Sequence, residues 1–209
     1  MLCSANSNIA NTKEIHGIKI LKKKHPAIKK LRKKPTFPSL YGHKLWTSSY
    51  LIMDYLNCYP PVEEPNTLEL GCGWGILSIY CASNFNANVV AVDADKKVFP
   101  YLKYHARIND VKIKTQKVHF EDIKKSLLKH QDLILGSDIC FWDELVDPLY
   151  KLIKKSMKAD VGQIIIADPG RSPFLKLAKR CKKKMNARLI PWETDTPRKV
   201  SGQLLVINQ

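Results

Sequence analysis

The sequence predicts an α/β fold whose mostly parallel sheet has seven strands, with an antiparallel strand near the C-terminus and helices on both faces. Three observations lead to this prediction. Seven short apolar runs have the length of buried strands, the first five belong to strand–helix units, and the last two have no helix between them. Strands joined through a helix pair in parallel, whereas strands joined directly pair in antiparallel fashion. A length of 209 residues suits one domain with a full core.

The predicted elements follow one another in a regular order. An amphipathic helix comes first, begun by a capping Thr47 or Ser48 and ended by Pro60. The predicted strands lie at 67–70, 87–92, 113–118, from 133 onward, 163–167, 187–190 and 202–207. The predicted helices lie at 47–59, 76–82, 97–109, 143–158 and 173–185. The last two strands would close the sheet as an antiparallel pair.

The N-terminal part of the chain differs from the rest in charge. Residues 1–40 are predicted to form a basic, partly flexible extension, and residues 41–209 to form the folded domain. Ten basic residues and one acidic residue within 1–35 supply +9 of the net charge of +16. Two prolines limit any helix there to about residues 27–33. The basic run at 13–34 indicates either a surface for nucleic acid, a ribosome or an acidic protein, or only a lysine-biased composition.

A glycine-rich turn after the first sheet strand is the leading candidate for a ligand site. Glu69 lies at the end of that strand, and Gly71, Gly73 and Gly75 lead into the next helix. Glycines let a ligand approach the backbone, and the helix N-terminus offers N–H groups and the positive end of its dipole. The dinucleotide fingerprint G-x-G-x-x-G would need glycine at position 76, where the chain has Ile76. The spacing therefore disfavours a dinucleotide, and a turn without a ligand stays open at this point.

Two further carboxylates stand at the ends of predicted strands. Asp93 follows the second sheet strand, 22 residues after Gly71, where an acid accepts hydrogen bonds from ribose hydroxyls. A strand-end aspartate also commonly caps the following helix, which is the alternative role for Asp93. Asp138 follows the fourth strand and begins the sequence D-x-x-F, which ends at Phe141.

The acid-G-x-G-x-G sequence at 69–75, Asp93 and the D-x-x-F sequence at 138–141 together resemble class I, seven-β-strand methyltransferases that use S-adenosylmethionine. Within that class they resemble the protein lysine methyltransferases that carry a D-x-x-[FY] motif. The similarity spans about residues 41–208. It implies a Rossmann-like methyltransferase sheet, S-adenosylmethionine as the cofactor, S-adenosylhomocysteine as the product, and N-methylation of a protein lysine side chain.

The resemblance also implies a set of cofactor-binding residues, namely Trp46, Glu69, Gly71, Gly73, Gly75, Asp93, Phe120, Asp122 and Asp138. Trp46 stands four residues after Gly42, as in the G-x-x-x-W sequence that precedes the cofactor motif in the family, although it could instead pack a helix onto the sheet edge. Phe120 is expected over the adenine ring. Asp122 is expected at the adenine amino group, with the neighbouring Glu121 as the alternative acid.

Asp138 and Phe141 are the predicted catalytic residues. Asp138 would hold the incoming amine or its cation, while Phe141 and Trp142 would form an apolar wall over which a cation is also attracted. The alternative for Asp138 is a carboxylate that touches only the methionine part of the cofactor.

Other acceptors and another class of function remain open at this stage. An RNA- or ribosome-directed methyltransferase would account for the basic run, and a small-molecule amine methyltransferase would not need it. The [ND]-P-P-[FYW] turn of enzymes that methylate exocyclic base amines is missing after the fourth strand, where the chain has Ser-Asp-Ile-Cys-Phe. A non-catalytic, cofactor-binding interaction module is the alternative outside enzymes, because a fold does not prove chemistry.

Composition points to the cytoplasm. Six cysteines without a C-x-x-C pair argue against zinc and against a disulfide framework, so we expect reduced thiols and no metal site. No run of about 18 apolar residues is present to span a membrane. The first eleven residues also lack the continuous apolar stretch of a secretory signal.

Overall fold

The computed structural model describes residues 11–33, 38, 42 and 44–209, and its main feature is a seven-stranded sheet. The strands of this part of the chain are β1 Thr12–Ile15, β2 Ile18–Leu21, β3 Asn66–Leu70, β4 Asn88–Asp93, β5 Lys114–Lys117, β6 Leu133–Ser137, β7 Gln163–Asp168, β8 Ala187–Thr194 and β9 Val200–Asn208. The sheet has the order β5-β4-β3-β6-β7-β9-β8, with β3 to β7 parallel. β9 pairs antiparallel with both β7 and β8. The predicted fold class is therefore confirmed.

Helices cover both faces of this sheet. They are α1 Pro26–Arg32, α2 Ser48–Cys58, α3 Ile76–Phe85, α4 Phe99–Ile108, α5 Lys125–Leu128, α6 Val146–Met157 and α7 Ser172–Lys182. Side chains of α2, α3 and α4 belong to one buried apolar cluster, and those of α6 and α7 to a second. Alternate residues of β7 enter the two clusters, because successive side chains of a strand point to opposite faces. Of these helices, α5 was not predicted from the sequence.

The start of α2 differs from the predicted capping. Thr47 occupies the capping position, but its backbone is already helical (φ −86°, ψ −15°) and its side chain makes no capping hydrogen bond. The N–H of Ser48 instead donates to the carboxylate of Asp138, 3.2 Å away and 90 residues later. A distant carboxylate therefore caps this helix, which ties α2 to the end of β6.

Residues 12–21 form a β hairpin that the sequence analysis did not predict. β1 and β2 pair through a two-residue turn, His16-Gly17, in which both residues have positive φ (46° and 78°), as a type I′ turn requires. Ile15, Ile18 and Ile20 are buried in the apolar cluster formed with α2, α3 and α4. This part of the basic extension is thus built into the core of the domain.

The short helix predicted near residues 27–33 is confirmed as α1, which begins at Pro26. The lysines of α1 and of the preceding turn point outward, since Lys22, Lys24 and Lys29 are all exposed. Part of the predicted extension lies outside the described residues, namely 1–10, 34–37, 39 and 40. The proposed boundary at residue 41 stays a prediction, and residue 41 itself is also not described.

The strand order places the candidate site. β3 is flanked by β4 on one side and β6 on the other, so the direction of the chain crossovers changes between β3 and β6. Open parallel sheets bind ligands in the crevice at the carboxyl ends of the strands at such a switch point. Glu69, Asp93 and Asp138 all lie at or next to this edge. Within the part of the chain that the structure describes, no helix is both long and apolar enough to cross a bilayer.

Candidate active site

A cavity of about 240 Å³ opens at the carboxyl ends of β3, β4 and β6. Seven of the predicted site residues line it, namely Trp46, Gly71, Gly73, Asp93, Phe120, Asp138 and Phe141. Glu69, Gly75 and Asp122 do not line it, whereas Glu121 does. The structure thus brings most of the predicted residues together and separates those that face the cavity from those that support it.

The glycine-rich turn has two parts with different roles. Gly73 has a φ of +50°, and a side chain placed on it would meet no protein atom within 4 Å, so its open side belongs to the cavity. Gly75 has a φ of +70°, and a Cβ there would lie 2.4 Å from Cγ of Leu102 on α4. Gly73 therefore leaves room for a ligand, and Gly75 leaves room for helix packing.

Glu69 supports the turn from inside the protein. Its carboxylate accepts hydrogen bonds from the hydroxyl of Ser78 and, at 3.0 Å, from the N–H of the same residue in the first turn of α3. Burial raises the pKa of Glu69 to about 8, against the opposing effect of both hydrogen bonds. Its described contacts anchor α3 to β3, and its predicted contact with a cofactor stays a prediction.

The high pKa of Glu69 leads to a prediction for stability. Between its ordinary value of 4.5 and about 8, the folded chain binds more protons than the unfolded chain at this residue, so stability falls as pH rises through that window. His105 has the opposite effect on stability. Burial lowers its pKa from 6.5 to about 4, so stability rises with pH between about pH 4 and pH 6.5 at this residue. Glu69→Gln should remove only the first effect. Relative to this variant, the wild type should lose up to about 3 kcal/mol of unfolding free energy between pH 5.5 and 8.

Urea unfolding of both proteins at those two pH values measures this difference. Glu63→Gln is the matched control, since Glu63 is an exposed acid just before β3. Parallel pH profiles for wild type and Glu69→Gln would show that Glu69 does not hold a proton in the folded protein.

Asp93 joins the ends of two strands at the cavity wall. One carboxylate oxygen accepts the N–H of Gly73 at 3.0 Å, and the other accepts the N–H of Asp95 at 2.9 Å. Burial raises the pKa of Asp93 above its ordinary value, although these N–H groups favour the ionised form. A carboxylate has about four acceptor positions, so Asp93 can hold the turn and still accept hydroxyl groups of a ligand.

Asp138 lies at the centre of a buried charged cluster. Its φ of +58° is in the left-handed region, a conformation that costs energy for a residue other than glycine and is often found at functional sites. Besides the N–H of Ser48, it accepts a hydrogen bond from Arg171 at 2.6 Å. The same guanidinium contacts Asp168 at 3.0 Å. Asp138 therefore connects the cavity wall with α2 and with the loop after β7.

Trp46 forms part of the wall beside this cluster. Trp74 on the glycine-rich turn donates its indole N–H to the carbonyl of Gly42 at 3.0 Å, which fixes the start of the segment that carries Trp46. The ammonium of Lys44 lies 3.7 Å from the Trp46 ring centroid, and the guanidinium of Arg171 lies 5.4 Å from it. Trp46 thus combines cavity lining with contacts to cations, as a cation-binding aromatic face would.

Phe141 and Trp142 close another side of the cavity. Their rings meet edge to face with centroids 4.9 Å apart, and Trp142 remains 47% exposed. The turn Phe120–Asp122 directs Phe120 and Glu121 to the cavity but not Asp122. If an acid binds adenine here, the geometry favours Glu121, the alternative named from the sequence.

Comparison with protein families identifies the chain. A family model described as lysine methyltransferase matches residues 29–174, which is more than half of the sequence. The chain belongs to this lysine methyltransferase family. The matched range contains the glycine-rich turn, Asp93, the D-x-x-F sequence and Arg171, so the family match and the cavity involve the same part of the molecule.

Individual relatives are distant. The electron transfer flavoprotein β subunit lysine methyltransferase of Danio rerio is 27% identical over 139 residues, which are 66% of this chain and 53% of the relative. A protein N-terminal and lysine N-methyltransferase of Cryptococcus neoformans is 27% identical over 131 residues, 62% of this chain and 38% of the relative. The chain thus spans about half, or less, of these curated relatives.

Solved structures agree with the fold. Magnesium protoporphyrin IX methyltransferase from Synechocystis, solved with bound S-adenosylmethionine, has a TM-score of 0.61 at 13% identity. That match covers 88% of this chain and 90% of the other. At this identity the likeness concerns the arrangement of strands and helices, and it supports a Rossmann-like methyltransferase architecture.

Sequence reasoning missed some features of the site. Arg171 was not assigned a role from the sequence, and its contact with Asp138 depends on the pairing of β6 with β7. Ser48, one of the two expected caps of α2, instead donates its N–H to Asp138. Among the described residues, no group of three or more His, Cys, Asp or Glu side chains is placed to hold a metal ion.

Proposed function

We propose that this chain is an S-adenosylmethionine-dependent methyltransferase that methylates a lysine side chain of a protein. The observation that carries the proposal is the cavity in which Gly73, Asp93 and Asp138 meet four aromatic side chains at the switch point of the sheet. Membership of the lysine methyltransferase family supports the same chemistry.

The residues around the turn suit the cofactor. Gly73 leaves open space beside the backbone, and Asp93 presents a carboxylate with capacity for ribose hydroxyls. Phe120 would cover the adenine ring, with an acid of the same turn at its amino group. When bound, the cofactor supplies a methyl group that the adjoining sulfonium makes electrophilic. The protein's part is then to position the acceptor in line with that methyl group and to exclude water.

The other end of the cavity suits a lysine side chain. A lysine amine attacks only in its neutral form, yet its ordinary pKa of about 10.4 leaves roughly one part in a thousand neutral at pH 7. Asp138 would first attract the ammonium ion. Its carboxylate would then lie next to the amine as the amine loses its proton. Trp46, Phe141 and Trp142 surround this position with aromatic surface, which attracts the cation and keeps water away.

Transfer of labelled methyl groups tests the proposal. The wild-type protein is incubated with labelled S-adenosylmethionine and a demethylated lysate of the source cell, and the products are treated with protease or with RNase. We expect label that protease removes and RNase spares, recovered as methyl-lysine after hydrolysis. RNase-sensitive label would favour an RNA or ribosomal acceptor bound through the basic run at 13–34. Label in small molecules alone would favour a metabolite amine, and cofactor binding without transfer would favour a non-catalytic module.

We further propose that the protein acts in the cytoplasm. In the described part of the chain, Cys58, Cys72, Cys81, Cys140 and Cys181 are all free thiols. Free buried thiols are ordinary for proteins of a reducing compartment. Fractionation of the source cell, with the protein detected in the cytosolic fraction, tests this assignment.

A further inference from the structure

Arg171 forms the link between two buried aspartates that end neighbouring strands. Its guanidinium lies 2.6 Å from Asp138 after β6 and 3.0 Å from Asp168 at the end of β7. The two carboxylate side chains are 4% and 1% exposed, while Arg171 is 26% exposed. A partly open guanidinium thus bridges a pair of carboxylates that have almost no contact with water.

The loop that carries Arg171 is itself fixed. One oxygen of Asp168 accepts the N–H of Gly170 at 2.9 Å and the N–H of Arg171 at 2.7 Å. The other oxygen takes the guanidinium. Asp168 therefore orients both the backbone and the side chain of Arg171, so the guanidinium is already aimed at Asp138 without any ligand.

The charges of this cluster do not cancel. Two ionised carboxylates and one guanidinium leave one net negative charge next to the aromatic side of the cavity. That is the charge an ammonium ion requires in a site from which water is largely excluded. Without the guanidinium, the two carboxylates would repel each other, and the pKa of Asp168 would lose an influence that lowers it.

We propose that Arg171 is a positioning residue of the methyl-acceptor site, which fixes the carboxylate of Asp138 at the cavity wall and leaves one net negative charge for the acceptor ammonium. This inference rests on the proposed function. It assigns the Asp168–Arg171 loop to binding of the methyl acceptor and not to binding of the cofactor. Arg171 acts through Asp138 and through the face of Trp46, and does not contact the reacting atoms.

The remaining titratable groups near the cluster do not change its net charge. Cys140 lies close enough to Asp168 and Arg171 for their charges to affect it, but burial raises its pKa to about 12, so the thiol stays neutral. Asp143 is exposed and paired with Lys176 at 2.8 Å. Burial raises the pKa of Asp168, and the charge of Asp138 adds to that effect, while Arg171 opposes it.

The test compares Arg171→Met and Arg171→Lys with the wild type. Initial rates of methyl transfer are measured against several concentrations of demethylated lysate protein, from pH 6 to 9, and S-adenosylmethionine affinity is measured by calorimetry. We expect Arg171→Met to lower kcat/KM for lysate protein by at least about tenfold, with cofactor affinity changed by less than about threefold. The acidic limb of its pH profile should move upward by about one pH unit or more, because the aspartates then interact without a cation. For Arg171→Lys we expect a kcat/KM and a pH profile between those of the wild type and those of Arg171→Met.

Arg180→Met is the matched control. Arg180 lies on α7 and likewise pairs with an aspartate at 2.6 Å, but its partner Asp147 is exposed and neither residue lines the cavity. Its loss should leave the pH profile unchanged. Wild-type kcat/KM and pH profile in both Arg171 variants would overturn the inference, as would a fall in cofactor affinity as large as the fall in kcat/KM. If Arg171→Met does not fold, Arg171→Lys decides by the same criteria. Absence of transfer by the wild type would instead refute the proposed function.

Discussion

Asp93→Ala is expected to weaken binding of S-adenosylmethionine by at least about 100-fold, because hydrogen bonds to a charged acceptor contribute about 1.5–3 kcal/mol each and the ribose has two hydroxyls to donate. The substitution also removes the acceptor for the N–H groups of Gly73 and Asp95, so the glycine-rich turn loses its fixed shape. Both effects weaken binding of the cofactor. Calorimetry with S-adenosylmethionine and with S-adenosylhomocysteine measures the loss.

Asp93→Asn separates the two effects. Asparagine can still accept one backbone N–H, but it has no charge and fewer acceptor positions, so we expect an intermediate loss of affinity. Asp147→Ala, which removes an exposed acid of α6, serves as the control and should bind like the wild type. Wild-type affinity in Asp93→Ala would assign Asp93 to the alternative role of a structural cap and would require another ribose acceptor.

Much of the fold was predictable because its strands are buried on both faces. β4, β6 and β7 consist largely of apolar residues, β3 is buried after its first residue, and each strand ends at or next to glycine or aspartate, so their approximate limits are visible in the sequence. The last pair was predictable from the missing helix between β8 and β9. Successive side chains of a strand point to opposite faces, so the sequence also predicts that the side chains of a buried strand divide between two apolar clusters.

The hairpin was missed for a physical reason that applies to lysine-rich chains. Ile15 precedes the pair His16-Gly17, which is suited to a type I′ turn, and β2 alternates apolar and polar residues from Ile18 to Ile20, but the surrounding run 13–34 is rich in lysine. Lysine is tolerated on the exposed face of a hairpin, so a high basic content does not exclude a packed element. The apolar face of the hairpin is buried in the cluster formed with α2, α3 and α4, which follow later in the chain.

Most residues that line the cavity were predictable from local sequence, Asp138 and Phe141 included, whereas the contact of Arg171 with Asp138 was not. Gly71, Gly73 and Asp93 lie at or just after the ends of β3 and β4, and their spacing along the chain is recognisable in the sequence. Arg171 and Asp138 meet only because β6 and β7 are neighbours in the sheet. Their 33-residue separation carries no local signal. Contacts of this kind can be inferred only once the strand order is known.

Asp138→Ala should then separate methyl transfer from cofactor binding. We expect transfer to fall by roughly 10²–10⁴-fold, the range typical of losing a group that handles a proton. Cofactor affinity should stay within a few fold of the wild type, since Gly73 and Asp93 are untouched. Alanine also disfavours the left-handed backbone at this position and leaves the N–H of Ser48 without its acceptor, so some stability is lost.

Asp138→Asn resolves that complication, because asparagine tolerates the left-handed conformation and can still accept the N–H of Ser48. A variant that folds and binds cofactor like the wild type but transfers poorly would assign the loss to the carboxylate charge. Asp143→Ala, five residues later and exposed, should transfer at the wild-type rate. A large loss of cofactor affinity in Asp138→Asn would move Asp138 to the cofactor side of the cavity. The acceptor ammonium would then depend on the aromatic faces of Trp46, Phe141 and Trp142 alone, and the charge balance set by Arg171 would serve the methionine end of the cofactor.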